Sequence, residues 1–247
     1  MQATPSGRLP QARFLICDCD GVLIDSEAIA ERIIVERLEA LWQRDDIADT
    51  VRPLLGMRTR PLLERVADTL GHVIHAETLA SIDTAVRRGA VLAPMIEGVD
   101  AALGAIALGK ACASNSNADY VSSALQRTGL IRHFADRVFT ADQVAHPKPA
   151  PDVYLAAAHR VGVAPAHCLV VEDSVTGARA AVAAGMTVLG FAGAKHLPGD
   201  QIRKLLDAGA SLVFERMTQL PSIVASIVDG HSHDSQHIAP HTHQDYA

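Results

Sequence analysis

Residues 14–27 read FLICDCDGVLIDSE and join a short apolar run to an acidic turn that begins at Asp18. The apolar run is typical of a buried strand, and Gly21 just beyond it permits backbone angles that other residues resist. The segment therefore predicts a strand that runs directly into a sharp turn. Asp18 and Asp20 leave this strand two residues apart, so we expect both carboxylates to lean toward one side, separated by roughly 6–7 Å of chain rise.

A helical block follows the turn. Apolar residues recur at helical spacing from Ser26 to Trp42, with Ser26 as a candidate N-cap. Helical patterns continue over residues 60–70 and 76–92, with no convincing strand between them. The block ends near residues 94–98, PMIEG, whose proline and glycine suit a linker. An all-helical insert thus interrupts the chain after its first strand.

Beyond the linker, helical and strand patterns alternate. The expected helices cover residues 99–108, 118–128, 151–161 and 174–184, and the expected strands cover residues 110–114, 137–140, 168–172 and 187–191. This alternation predicts an α/β fold with a parallel sheet covered on both faces by helices. In such sheets, ligands bind beyond the carboxyl ends of the strands.

Three further polar groups lie at or just after the ends of predicted strands. Ser114 and Asn115 belong to a polar cluster at a helix start, where hydroxyl and backbone N–H groups can hold a phosphate. Lys148 stands between prolines, which restrict the chain around this cation before a ligand arrives. Glu172 and Asp173 follow the apolar run CLVV, and a buried carboxylate pair is costly unless a cation shares it. Hard oxygen ligands favour Mg²⁺.

In this order and on this frame, the four elements resemble the haloacid dehalogenase superfamily over roughly residues 12–215. DCDGVLIDSE is similar to the first motif of that superfamily, Ser114 to the second, Lys148 to the third and Glu172-Asp173 to the fourth. The resemblance implies a Rossmann-like parallel sheet with helices on both faces and a small helical cap inserted after the first strand.

The expected divisions of the chain follow from this resemblance. They are core over residues 12–24, cap over 25–95, core again over 96–228 and a tail over 229–247. The tail contains five histidines without apolar periodicity, so we expect it to be disordered.

The resemblance also implies a division of chemical roles. Asp18 would be the nucleophile that forms an aspartyl-phosphate, and Asp20 the general acid and base. Ser114, Asn115 and Lys148 would bind the transferring phosphoryl group. Mg²⁺ would be held by Asp18, by the backbone carbonyl of Asp20, and by Glu172 and Asp173.

Three functions remain open on this reading. The first is a phosphatase acting on a small phosphorylated metabolite, such as a sugar, sugar-acid or polyol phosphate. The DCDGVLIDSE motif and the PMIEGV linker are most similar to bacterial phosphatases of sugar and sugar-acid phosphates. The second is a phosphosugar mutase of the β-phosphoglucomutase type, although those enzymes commonly carry a histidine where this chain has Ala30. The third is a non-catalytic binding protein. Asp20 disfavours dehalogenation and ion pumping, because dehalogenases lack this second aspartate and transport ATPases have threonine there.

Substrate selection is expected to involve the cap. Arg58, Arg60, Arg87 and Arg88 lie in its helical segments and could contact a second anionic group, with a solvated surface arginine as the alternative at each position.

Composition limits the partners. The 247 residues are 49% hydrophobic and carry a net charge of −6 without a block of lysine or arginine, so we expect neither a nucleic acid nor a membrane surface as partner. The N-terminal apolar run is too short for a signal segment or a membrane span, which predicts a cytoplasmic protein. The four cysteines are expected to be reduced thiols.

Overall fold

The computed structural model describes residues 12–55, 57, 59–193 and 200–229. Its centre is a six-stranded parallel sheet in the order β3-β2-β1-β4-β5-β6. The strands are β1 (Phe14–Cys17), β2 (Gly109–Ser114), β3 (Val138–Thr140), β4 (Cys168–Glu172), β5 (Thr187–Phe191) and β6 (Leu212–Phe214). The α/β fold class expected from the alternation is confirmed. The sequence patterns do not predict the short edge strand β6.

The described helices surround this sheet and form the insert. They are α1 (Ser26–Trp42), α2 (Ile47–Val51), α3 (Thr59–Leu70), α4 (Ala76–Ala90), α5 (Val99–Ala105), α6 (Ala118–Thr128), α7 (Ile131–Phe134), α8 (Asp152–Val161), α9 (Val175–Ala183), α10 (Gln201–Asp207) and α11 (Leu220–Val228). The first four lie between β1 and β2 and form the small helical cap.

Burial on the sheet follows the alternation of a strand. Leu15 and Cys17 of β1 pack in a cluster with side chains of α5, α6 and α11, whereas Phe14 and Ile16 pack in a second cluster with side chains of α8, α9 and α10. Successive strand side chains point to opposite faces, so a strand buried on both faces is apolar at every position. A third cluster draws only on cap helices and includes Ile34, Leu38, Leu63 and Val86.

Several helix ends differ from the expectations by one to three residues, and two of the differences have a visible cause. The N-cap of α1 is Asp25, not Ser26, because the Asp25 carboxylate accepts a hydrogen bond from the Ala28 N–H at 3.3 Å. Helix α5 ends at Ala105, short of the predicted residue 108. The Lys110 ammonium donates to the carbonyls of Ile106 and Leu108, at 2.6 and 2.9 Å, which occupies the backbone that a longer helix would use.

The two connections between core and cap lie side by side. The Asp25 N–H donates to the Pro94 carbonyl at 2.9 Å, and the Ile96 N–H donates to the Leu23 carbonyl at 3.0 Å. Between these bonds, Ile24 and Met95 form an antiparallel bridge. The cap therefore enters and leaves the core through one paired crossing.

Several other expectations concern the periphery. Cys17, Cys19, Cys112 and Cys168 are free and buried. No helix in the described part of the chain has the length and hydropathy to cross a membrane. Arg58 and tail residues 230–247 lie outside the described residues.

Candidate active site

Four predicted site residues converge at the carboxyl ends of the central strands. Asp18 follows β1, Ser114 ends β2, Glu172 ends β4 and Asp173 follows it. Because β2, β1 and β4 are neighbours in the sheet, these positions meet at one edge. The Asp18 N–H donates to the Val171 carbonyl at 3.0 Å, which continues the β1 to β4 pairing past the end of β1.

Lys148 joins the acidic groups across this edge. Its ammonium nitrogen lies 2.6 Å from Oδ1 of Asp18 and 2.6 Å from Oε1 of Glu172, and it donates to the Ala113 carbonyl at 2.9 Å. The side chain of Lys148 is 3% exposed and that of Glu172 is 0% exposed. The ammonium also lies 4.7 Å from the ring centroid of Tyr154. Every ionic contact of Lys148 is thus shielded from water.

Burial and neighbouring charges shift the pKa values of this group. Burial alone would lower the pKa of Lys148, but Asp18 and Glu172 outweigh it and raise that pKa well above its usual value. Burial raises the pKa of Asp18 from 3.8 to about 8; Lys148 opposes this rise, while Glu172 and Asp20 add to it. Burial and the neighbouring carboxylates also raise the pKa of Asp173. One ammonium therefore does not neutralise the buried carboxylates.

This acidic group has the chemistry of a metal site. Carboxylate oxygens of Asp18, Glu172 and Asp173 lie within 4.8 Å of one another, and all three residues are buried. Buried carboxylates are stable as anions when a cation shares them, and an all-oxygen donor set suits Mg²⁺. The side chain of Asp20 is not part of this group.

Two glycines let the acidic side chains pack closely. Gly21 has φ of 79°, and a Cβ built on it would lie 1.9 Å from Oδ2 of Asp173. A Cβ on Gly177 would lie 1.7 Å from Oε1 of Glu172. Both distances are far below van der Waals contact, so any larger residue would displace a carboxylate.

Asp20 faces a different set of side chains. Its Oδ1 accepts a hydrogen bond from the Tyr120 hydroxyl at 2.6 Å, and its Oδ2 accepts one from the Ser116 hydroxyl at 2.8 Å. Sequence reasoning singled out neither donor. Ser116 lies in the polar cluster after β2, which is a usable signal. Tyr120 is an ordinary aromatic residue in the first turn of α6, and only the fold brings it to Asp20.

The side-chain amide of Asn115 forms hydrogen bonds with the backbone of Lys148. Its side-chain oxygen accepts from the Lys148 N–H at 2.8 Å, and its side-chain nitrogen donates to the Lys148 carbonyl at 3.1 Å. Both ends of the amide are engaged with the backbone that carries the lysine. This positioning contact is additional to the phosphate contact expected from the sequence.

Further unpredicted residues support the acid pair. The Tyr154 hydroxyl donates to Oε1 of Glu172 at 2.6 Å, and the Ser174 N–H and hydroxyl donate to Oε2 at 3.2 and 3.0 Å. Gln201, at the start of α10, donates its side-chain N–H to the backbone carbonyl of Asp173. These residues lie up to 47 positions from one another in the chain, so local sequence patterns could not group them.

A cleft of about 890 Å³ lies between the cap and the core beside this site. Its core wall includes Asp20, Asn115, Ser116 and Tyr120. Its cap wall includes Ser26, Ala30, Arg87 and Arg88. Of the four arginines singled out by sequence, Arg87 and Arg88 thus reach the cleft, and Arg60 is exposed on α3 and absent from the cleft lining.

The fold and the site together define a class of α/β proteins with an acidic centre at the sheet edge and a helical cap beside it. A sequence profile of haloacid dehalogenase-like hydrolases matches residues 13–185. The chain belongs to this hydrolase family.

Individual relatives have similar cores. A 6-phosphogluconate phosphatase of Escherichia coli (strain K12) is 26% identical over 215 residues, which cover 83% of this chain and 91% of that protein. A fructose-1-phosphate phosphatase of the same strain is 32% identical over 177 residues, covering 70% and 92%. A haloacid dehalogenase family hydrolase of Deinococcus radiodurans, solved with bound phosphate and sodium, has a TM-score of 0.79 and 28% identity, covering 88% of this chain and 96% of its own.

Proposed function

We propose that the protein is a Mg²⁺-dependent phosphatase of a small phosphorylated metabolite, in the class of sugar, sugar-acid and polyol phosphates. The observation that carries the proposal is the buried contact of Asp18 with Lys148 beside two further carboxylates, with Asp20 held nearby at the cleft. Relatives named as phosphatases of 6-phosphogluconate and fructose 1-phosphate support this substrate class. A neighbouring structure that holds phosphate supports the anion.

The first half-reaction forms a covalent intermediate. The Asp18 carboxylate attacks phosphorus in line, and the bond from phosphorus to the leaving oxygen breaks as the aspartyl-phosphate forms. Asp20 protonates the departing alkoxide. Lys148 and Ser114 stabilise the charge on the transferring phosphoryl oxygens, and Asn115 holds the Lys148 backbone in place for this contact.

The second half-reaction returns the enzyme to its starting state. Asp20, now ionised, takes a proton from a water molecule that attacks the phosphorus of the aspartyl-phosphate. The bond between phosphorus and the Asp18 oxygen breaks, and inorganic phosphate leaves. The hydroxyls of Ser116 and Tyr120 hold the two Asp20 oxygens and thereby fix the direction in which Asp20 transfers its proton.

The acid cluster fits a divalent cation. Asp18, Glu172 and Asp173, with the backbone carbonyl of Asp20, would hold Mg²⁺, which when bound supplies positive charge that offsets the repulsion between a carboxylate nucleophile and a phosphate dianion. Glu172 contributes without touching substrate, because its two oxygens are engaged by Lys148, Tyr154 and Ser174. That engagement fixes the orientation of the Glu172 carboxylate, which would contribute negative charge to the cation site.

The mutase alternative is less well supported by the cleft. Ala30 lines the cap wall, at the position where a phosphosugar mutase commonly carries a histidine, and its methyl group cannot exchange a proton with a sugar hydroxyl. A non-catalytic role does not account for the burial of several carboxylates and one ammonium at a single site, which is costly for folding. Hydrolysis is therefore the reaction that these residues suit best.

A phosphate-release screen tests the proposal. The purified protein is incubated with sugar, sugar-acid, polyol and nucleoside phosphates, with Mg²⁺ or with EDTA, beside an Asp18→Asn control. Mg²⁺-dependent release of inorganic phosphate from at least one small metabolite, absent in Asp18→Asn, is expected. Conversion of a sugar 1-phosphate to its 6-phosphate without phosphate release would assign the mutase reaction instead. Full activity after EDTA treatment and dialysis would refute the metal requirement.

A further inference from the structure

The cap wall of the cleft carries two adjacent cations, Arg87 and Arg88, in the last turn of α4. They line the cleft from the cap, in a helix that packs on α1. A Cβ built on the next residue, Gly89, would meet Ile33 and Ile29 of α1. The packed glycine fixes how closely the end of α4 approaches α1. The two arginines therefore lie on a helix that is packed closely against α1, and not on a loop.

Neither guanidinium forms a buried ion pair with a described residue. Arg87 pairs with Asp83 at 2.8 Å, but this is a surface pair one helical turn apart, and the Arg87 side chain is 78% exposed. Exposed pairs of this kind contribute little, so a ligand can replace them at small cost. Among the described residues, Arg88 has no salt-bridge partner within 4.0 Å.

Asp20, Asp119 and Asp142 line the core wall of the cleft, and Glu27 of α1 lines its cap side. Two of the core-wall carboxylates accept hydrogen bonds from neighbouring side chains. Asp20 accepts from Ser116 and Tyr120, and Asp142 accepts from the Thr140 hydroxyl at 2.5 Å. Asp119 lies on the same wall, at the start of α6. The cationic side chains among the described lining residues are Arg87 and Arg88, so an anionic substituent that enters the cleft is attracted to the end of α4.

We propose that Arg88, with Arg87, binds a second anionic group of the substrate, a carboxylate or a second phosphoryl group, distal to the phosphoryl group that is transferred. This inference rests on the proposed phosphatase function and narrows its substrate class to phosphates with two separated anionic groups. A guanidinium suits this role because it can donate two parallel N–H bonds to a carboxylate or a phosphoryl group. Arg88 and Arg87 act as specificity-determining residues, and the reaction centre stays at Asp18.

The test compares substrates that differ only in the distal group. 6-Phosphogluconate and sorbitol 6-phosphate are both open-chain polyol phosphates, with a carboxylate in one and a hydroxymethyl group in the other. Fructose 1,6-bisphosphate and fructose 6-phosphate form a second pair for a distal phosphoryl group. Each is assayed with wild type, Arg88→Gln, Arg87→Gln and the double variant. Arg65→Gln, an exposed arginine on α3 outside the cleft lining, is the matched control.

The double variant is expected to lower kcat/KM about 10- to 100-fold for the doubly anionic member of at least one pair, with less than about a twofold change for its partner. Arg65→Gln should change neither. A response confined to one pair identifies the distal group as a carboxylate or as a phosphoryl group. Equal kcat/KM ratios in wild type and the double variant for both pairs would overturn the inference.

A binding measurement separates this inference from the proposed function. The measurement is calorimetry with Asp18→Asn protein and Mg²⁺. The two arginine substitutions should weaken the binding of 6-phosphogluconate or fructose 1,6-bisphosphate and leave the affinity for inorganic phosphate unchanged. If wild type releases phosphate from no substrate but this contrast persists, the phosphatase proposal fails and the anion subsite stands. If phosphate release is found but neither kinetics nor binding depends on the arginines, the subsite fails alone.

Discussion

The Tyr120 hydroxyl donates a 2.6 Å hydrogen bond to Oδ1 of Asp20, from a helix that begins 100 residues farther along the chain than Asp18, the proposed nucleophile. Ser116 donates to the other oxygen of the same carboxylate. Burial and the nearby Asp20 charge raise the pKa of Tyr120, so the phenol keeps its proton and stays a donor. The direction of the Asp20 carboxylate is thus set from α6 and the loop before it.

Tyr120→Phe removes one of these donors and keeps the ring. We expect kcat for a sugar phosphate to fall about tenfold, since a hydrogen bond to a charged group is at stake. The fall should be smaller for p-nitrophenyl phosphate, whose leaving group departs without a proton. Steady-state kinetics with both substrates check this, and Ser116→Ala should behave in the same way. Equal losses for the two substrates would contradict the positioning role.

The Asp18→Asn and Asp20→Asn variants should be impaired in different steps of the reaction. Asp18→Asn cannot form a phosphoenzyme, because an amide does not replace the carboxylate nucleophile. Asp20→Asn should still be phosphorylated by an activated donor such as labelled acetyl phosphate, but it should hydrolyse the intermediate slowly because the attacking water has lost its base. Rapid-quench labelling should therefore trap phosphate on Asp20→Asn protein alone. Label on Asp18→Asn protein would mean that the nucleophile is misassigned.

Lys148→Ala should damage both catalysis and folding. Turnover should fall by about two to four orders of magnitude, as when other preorganised electrostatic groups are removed. Stability should fall as well, because Lys148 is buried between Asp18 and Glu172. Leaving buried charges without a partner costs about 3–5 kcal/mol. Urea unfolding gives the stability change, with Lys204→Ala, in an exposed pair with Asp200, as the control.

The metal-free protein should lose stability as pH rises. The folded-state pKa of Asp18 is about 8 against a usual 3.8, so folding favours the protonated carboxyl. This contribution is complete below about pH 4 and disappears as pH rises toward about 8. The melting temperature in EDTA should therefore fall from about pH 5 to about pH 8, less steeply in Asp18→Asn.

Magnesium should reverse this trend, because it binds the ionised carboxylates in competition with protons. Differential scanning fluorimetry should show a larger Mg²⁺-induced rise in melting temperature at about pH 8 than at about pH 5. A rise in melting temperature that is equal at both pH values would show that Asp18 is not a ligand of Mg²⁺.

Gly177→Ala tests the close packing at Glu172. The added methyl group would overlap Oε1 of Glu172, so the carboxylate must move away from Lys148. We expect at least about a tenfold loss of turnover and a lower melting temperature, in the range of an overpacked core. Gly104→Ala in α5 has no atom within 4 Å of the new methyl group, so it should leave activity unchanged. Normal Mg²⁺ affinity in Gly177→Ala would show that the site tolerates the shift.

Local patterns predicted the order of the central elements because strands buried on both faces are apolar at every position. The sequence also placed Asp18, Ser114, Lys148 and Asp173 at or just after predicted strand ends. Parallel topology brings Asp18, Ser114 and Asp173 to one edge, and Lys148 reaches Asp18 from the segment between β3 and α8. Tyr120, Tyr154 and Gln201 escaped prediction because each is recruited through tertiary packing from a helix with no distinctive motif. Strand β6, with three residues at the sheet edge, is too short to give a clear alternation.

The paired crossing at Leu23–Asp25 and Pro94–Ile96 has a consequence for how such proteins can diversify. Because both ends of the insert leave the core as hydrogen-bonded neighbours, residues 26–93 can be exchanged for another segment without altering the path of any strand in the sheet. The contacts of Lys148 with Asp18 and Glu172 are drawn from the remaining chain, so a chimera with a foreign insert should retain them. The insert and the acidic centre can therefore change in sequence independently of one another.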